Sequence, residues 1–98
     1  MVSNTVIWSP KARLTYYEIL EYLAEKWSIK EIETFIDRTE EVINHICTNP
    51  LLYPYSEKSD IHKCVLVKQI SLFYRVRASN VELLVFWDNR QNPIKLRF

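Results

Sequence analysis

Leu72-Phe73-Tyr74-Arg75-Val76-Arg77, then Ala78-Ser79-Asn80, then Val81-Glu82-Leu83-Leu84-Val85-Phe86-Trp87 is the stretch that decides the fold. Two runs rich in aromatic and β-branched residues, separated by three turn-prone ones, predict a β-hairpin. In the first run Ile70, Leu72, Tyr74 and Val76 alternate with Ser71, Phe73, Arg75 and Arg77. The first set is expected on the core and the arginines on the opposite face. The second run is apolar from Leu83 to Trp87 without alternation, which fits a central strand covered on both faces. Leu96 and Phe98 could supply that cover, and the polar Asp88-Asn89-Arg90-Gln91-Asn92-Pro93 follows the strand.

Upstream of the hairpin, a third strand is expected at about 61–68, with a turn near Gln69. Residues 50–60, with Pro50, Pro54, Tyr53, Tyr55, Ser56 and Ser59, have no clear period and read as a loop. At the other end, Thr5-Val6-Ile7-Trp8 is a short strand leading into Ser9-Pro10, where serine caps a helix and proline suits its first turn. Ala12, Tyr16, Ile19, Leu20, Leu23 and Trp27 share one face of that helix, while Glu18, Glu21, Glu25 and Lys26 largely take the other. Ser28 and Glu31 form a capping box that restarts the helix, with Trp27 and Ile32 placed for a hydrophobic staple. The second helix carries Ile32, Phe35, Ile36, Thr39, Val42, Ile43 and Ile46 and stops at Asn49-Pro50. The expected fold is α+β: an N-terminal strand and a two-helix hairpin packed on one face of an antiparallel four-stranded sheet, in a single domain over 1–98.

Ninety-eight residues with 48% hydrophobic content suffice for one core and not for two. No apolar run approaches the roughly 20 residues a membrane span needs, and the N-terminus lacks a basic segment followed by an apolar one, so a cytoplasmic location without membrane contact is expected. Glycine is absent, which argues against glycine-rich phosphate loops and hence against nucleotide cofactors; no cofactor of any kind is expected. Cys47 and Cys64 are too few for a disulfide framework and sit in apolar surroundings. His45-x-Cys47 and His62-x-Cys64 invite a zinc reading. Residues two apart on a helix point about 200° apart, however, so His45 and Cys47 cannot share an ion, and no metal site is expected. The net charge of +1 conceals a division: residues 1–60 hold six Lys/Arg and ten Asp/Glu, residues 61–98 seven and two. The basic half favours a partner of negative charge.

The order of these elements, with Ala12 and Tyr22-Leu23 in the first helix, the Asn49-Pro50 break, the Tyr74-Arg75-Val76 strand and a basic C-terminal tail, resembles the RelE/ParE superfamily of bacterial toxins from type II toxin–antitoxin modules. The resemblance covers nearly the whole chain. It implies a small protein that arrests growth and is neutralised by a cognate antitoxin laid across its surface. It also implies one of two targets: RelE-like members cleave messenger RNA on the ribosome, and ParE-like members poison DNA gyrase.

RNA cleavage needs a base for the 2′-hydroxyl, cations for the phosphorane and an acid for the leaving oxygen. The superfamily's ribonucleases carry basic residues on the sheet's open face; here Lys63 lies near such a position on the second strand, Arg75 is the Tyr-Arg-Val arginine and Arg90 sits just past the last strand. His62, with a reference pKa of about 6.5, and Asp88 are the available proton carriers, although an aspartate beside Arg90 is ordinarily an ion-pair partner. The last strand ends in Phe86-Trp87, where those ribonucleases often carry a histidine or tyrosine. The expectation is therefore a ParE-like toxin that binds gyrase through Lys63, Arg75, Arg77, Trp87 and Arg90 with no side chain doing chemistry. The alternatives are a ribosome-dependent messenger RNA endoribonuclease using His62, Lys63, Arg75, Arg90 and Asp88, and a non-toxic interaction module. The antitoxin is expected to engage the exposed sheet edge and the apolar grooves of the helix hairpin.

Overall fold

The computed structural model describes residues 5–90. The elements run β1 (Thr5–Trp8), α1 (Pro10–Lys26), α2 (Ile29–Thr48), β2 (Tyr55–Ser56), β3 (Ile61–Val67), β4 (Ile70–Val76) and β5 (Asn80–Asp88). The strands form one sheet in the order β1-β5-β4-β3-β2. Two corrections to the sequence reading follow. The sheet has five strands, because Tyr55 and Ser56 in the expected loop pair antiparallel with His62 and Ile61. It is also mixed, because β1 lies parallel to β5, with Thr5 opposite Asn80 and Trp8 opposite Leu83. A strand that returns to the sheet only after a helical pair is free to pair in parallel. Among the described residues, no helix is long and apolar enough to cross a membrane.

Both helix starts are built as the sequence indicates. The Ala12 amide donates to Ser9 Oγ at 3.0 Å. At the second start, the Glu31 amide donates to Ser28 Oγ at 3.2 Å and the Ser28 amide returns to Glu31 Oε1 at 3.1 Å. The helices cover one face of the sheet, where Ala12, Leu23, Phe35, Val42 and Ile46 meet Cys64, Leu66, Ile70, Leu72, Tyr74, Val81, Leu83 and Phe86.

The lost alternation in the last strand has two causes. β5 is central, between β1 and β4. It also carries a bulge: Phe73 pairs with Val85 but Tyr74 with Leu83, leaving Leu84 as the extra residue. The bulge shifts the parity, so that Leu83 and Phe86, an odd number of residues apart, both reach the core. Helix α1 satisfies the backbone there. Ser9 Oγ donates to the Leu84 carbonyl at 3.0 Å, and Thr15 Oγ1 accepts the Phe86 amide at 3.0 Å. Thr15→Val keeps the shape and removes that acceptor, so it should cost about 1–3 kcal/mol, read as a lower urea midpoint at unchanged slope. The suggested cover from Leu96 and Phe98 lies outside the described residues.

Candidate functional site

At one end of the sheet's outer face, the four-residue turn 57–60 links β2 to β3 and closes on Asp60, whose φ of 56° is the only positive value among the described residues. Aspartate tolerates the left-handed region because its short polar side chain bonds locally. The Asp60 carboxylate gathers its neighbours: Tyr55 Oη donates to Oδ1 at 2.7 Å and Arg77 Nη1 to Oδ2 at 2.9 Å. Arg75 Nε donates to the Asp60 carbonyl at 3.2 Å and stands 4.0 Å from Oδ2, while its Nη2 donates to the Ser59 carbonyl at 3.3 Å. The Tyr55 hydroxyl, followed by the Arg77 guanidinium, holds the Asp60 carboxyl below the usual carboxylate range. Lys63, on the same face, lies over the Phe73 ring at 5.9 Å.

At the other end, β5 delivers Asp88 toward α1, opposite Ile70 of the core face. Arg90 grips this carboxylate in a fork, Nε to Oδ1 at 3.0 Å and Nη2 to Oδ2 at 2.7 Å, and Nη2 also donates to Tyr22 Oη at 2.9 Å. The Arg90 guanidinium lies 5.4 Å from the centre of the Tyr22 ring. This clasp rims a cleft of about 260 Å³ floored by Ile19, Leu23, Ile70 and Phe86. Arg90 holds the Asp88 carboxyl below its ordinary range. Because Asp60 and Asp88 are both depressed in the folded chain, their stabilising contribution is complete above the unfolded carboxylate range near pH 4 and is lost as pH falls through the folded values. The urea midpoint should therefore be flat above about pH 5 and fall on acidification, less steeply in Asp88→Asn, which lacks one of the two groups.

His62 lies on neither surface. It is buried on the helix side of β3, Nδ1 donating to the Tyr53 carbonyl at 2.9 Å. A carbonyl only accepts, so in the neutral ring the proton is on Nδ1. The imidazole stacks on Tyr74 at 4.9 Å and 9° and tilts against Tyr55 at 4.7 Å. Trp87 is half-buried opposite Ser71 on the outer face. The structure thus brings Arg75 and Arg77 together with Lys63 nearby, places Asp88 and Arg90 together about 17 Å away along β4, and turns His62 to the other face of the sheet from Arg75, where its ring packs on Tyr55, the residue that also bonds Asp60. Sequence reasoning missed Asp60, Tyr55 and Tyr22. Asp60 carried a readable signal, an aspartate closing a polar turn in a chain without glycine; Tyr22 carried none. Among the described residues, no group of three His, Cys, Asp or Glu side chains is placed to hold a metal ion.

Residues 6–93 match the family model for the ParE toxin of the type II toxin–antitoxin system parDE. No curated protein sequence matches the chain. Among solved structures, a chain of the chromosomal ParDE TA system from P. aeruginosa superposes with a TM-score of 0.71 over 88% of this chain and 96% of its own, at 13% identity. The YoeB dimer structure from Staphylococcus aureus gives 0.58 over 86% and 94%, at 14% identity. A conserved hypothetical protein from Helicobacter pylori gives 0.52 over 90% and 97%, at 12% identity. At these identities the likeness is one of fold.

Proposed function

We propose, from the premise that this chain belongs to the ParE toxin family of type II toxin–antitoxin systems, that it arrests growth in the cytoplasm by binding DNA gyrase and that it does so without cutting RNA. The observation that carries this reading is the placement of His62. A general base must reach the hydroxyl whose proton it takes. The one histidine of the basic half is instead buried, its Nδ1–H hydrogen-bonded to the Tyr53 carbonyl and its ring packed between Tyr74 and Tyr55, so that it meets the cluster of Asp60, Arg75 and Arg77 only through the Tyr55 ring. Asp88, the other proton carrier considered, is neutralised by Arg90. What the outer face does present is fixed charge: Lys63, Arg75 and Arg77 on a rigid sheet, suited to steering and holding an acidic macromolecular surface.

Membership of the family implies a cognate antitoxin. Two features of this chain suit an extended or helical segment. Strand β2 covers β3 only at Ile61 and His62, so past Lys63 the outer edge of β3 has no strand beside it among the described residues, and Val65 there is 51% exposed. Leu14 and Tyr17 are exposed on α1.

Induced expression without the antitoxin tests the reading in cells. The expected result is growth arrest with intact messages, induced DNA damage and lost supercoiling. Codon-phased messenger RNA cuts at arrest would replace it with the ribonuclease reading, and unimpaired growth would leave an interaction module without toxicity.

A further inference from the structure

We infer that Arg75, Arg77 and Tyr55 form an oxyanion site for a phosphate group, and that the chain's own Asp60 occupies it. The geometry is that of a bound anion. Three donors, the hydroxyl of Tyr55 in β2, the guanidinium of Arg75 in β4 and that of Arg77 just past its end, converge on one residue at the sheet's end.

The carboxylate itself takes two of the three donors, the Arg75 guanidinium being bonded to the Asp60 and Ser59 carbonyls beside it. Its two oxygens take Tyr55 and Arg77 at 2.7 and 2.9 Å, which leaves Arg75 Nε at 4.0 Å from the nearer oxygen. A phosphate brings a third acceptor oxygen and more negative charge, and so can satisfy all three donors at once. Charge agrees. Arg75, Arg77 and Lys63 stand against Asp60 and Glu82, and Glu82 lies cross-strand from Arg75 without forming an ion pair with it among the described residues.

The backbone also singles out Asp60. In a left-handed position, where glycine or asparagine is the usual choice, the chain carries the one residue of that kind with a negative charge. The bonds of Asp60 are exposed and reversible, its side chain being 51% accessible, so an incoming anion can displace the carboxylate by a rotation of its side chain. A hollow of about 330 Å³ lined by Asp60 itself with Tyr55, Leu51, His62 and Val76 gives a phosphate ester room for the group it carries. The site shares Arg75 and Arg77 with the face proposed to bind gyrase, and the phosphate titration reads it without gyrase or ribosomes present.

The test is a titration of the full-length chain with inorganic phosphate, following the arginine Nε–Hε and Tyr55 ring resonances, in wild type, Asp60→Asn and Asp37→Asn. Asparagine keeps the left-handed turn and removes the competing charge. Asp37, exposed on α2, makes the same change in net charge elsewhere. Should Asp60→Asn fail to fold, Asp60→Gly carries the same test. Phosphate should bind Asp60→Asn at least about tenfold more tightly than either wild type or Asp37→Asn, the scale of one charge-assisted hydrogen bond, and adding Arg77→Ala should abolish the gain. A short single-stranded oligonucleotide that saturates the same resonances at lower concentration than inorganic phosphate identifies the source as a nucleic-acid backbone; saturation by inorganic phosphate alone identifies a free phosphate. Equal phosphate binding in Asp60→Asn and Asp37→Asn would overturn the inference and leave Asp60 as a staple of the turn. Acetate binding as tightly as phosphate would overturn it in favour of an acidic peptide.

Discussion

Phe86→Ala is expected to lose about 3–5 kcal/mol of folding stability, a large share of the 5–15 kcal/mol typical of a domain. Phe86 is 2% exposed and stands where α1, β1 and the bulged β5 meet. Its ring stacks on Trp8 at 5.4 Å and 24° and tilts against Tyr16 at 5.1 Å, while Tyr16 in turn stacks on Phe35 of α2 at 5.8 Å. Truncation therefore empties the junction of four elements, and the surrounding rings, fixed by helices and sheet, relax only partially into the gap. A urea titration with an unchanged slope and a midpoint lowered by a third or more, in proportion to that loss, is the expected reading. A midpoint within error of wild type would mean that the aromatic junction does not hold β5 to the helices.

The second large effect concerns the two cationic ends of the sheet. Arg75→Ala with Arg77→Ala should raise the concentration of protein needed for half-maximal gyrase inhibition by about 10- to 100-fold, the scale of losing two charged contacts at an interface. Stability should move by no more than about 1 kcal/mol, since both arginines reach solvent and exposed pairs contribute little. Arg90→Ala should have less than about a tenfold effect, because Arg90 is forked on Asp88 and turned to Tyr22 of α1, whereas Arg75 and Arg77 share the single carboxylate of Asp60. Equal losses from both replacements would show that the target contacts both ends of the sheet.

Most of the fold is legible in the sequence because its signals are local. Ser9-Pro10, the Ser28 and Glu31 capping box and Asn49-Pro50 place both helices, and the alternation from Ile70 to Val76 sets the faces of β4 correctly. The errors are non-local. Whether Thr5–Trp8 pairs parallel or antiparallel depends on a partner some 75 positions away, and no local propensity encodes that choice. The two-residue β2 is too short to show a period. The bulge at Leu84 reads as continuous apolarity, because a parity shift cannot be told from two covered faces without the partner strand.

The candidate site was less legible than the fold. Arg75 and Arg77 were placed on the outer face by period alone. Arg90 was grouped with them by charge, yet it turns to α1 because Asp88 and Tyr22 draw it there. His62 reads in the sequence as an available proton carrier, but its even position in β3 points it inward with Cys64 and Leu66. Asp60 was counted with the acidic half of the chain, although the fold sets it among the cations of the basic half.

The most direct test of a gyrase-directed, non-nucleolytic toxin is a pair of purified reactions: DNA supercoiling by gyrase, and translation of a defined message on ribosomes, each with increasing amounts of the chain. Supercoiling inhibited in proportion to added protein, with the message intact on translating ribosomes, is the predicted result. Full supercoiling activity beside codon-phased cleavage of the message would contradict the account and would require a catalytic arrangement that His62, buried against Tyr74, does not supply.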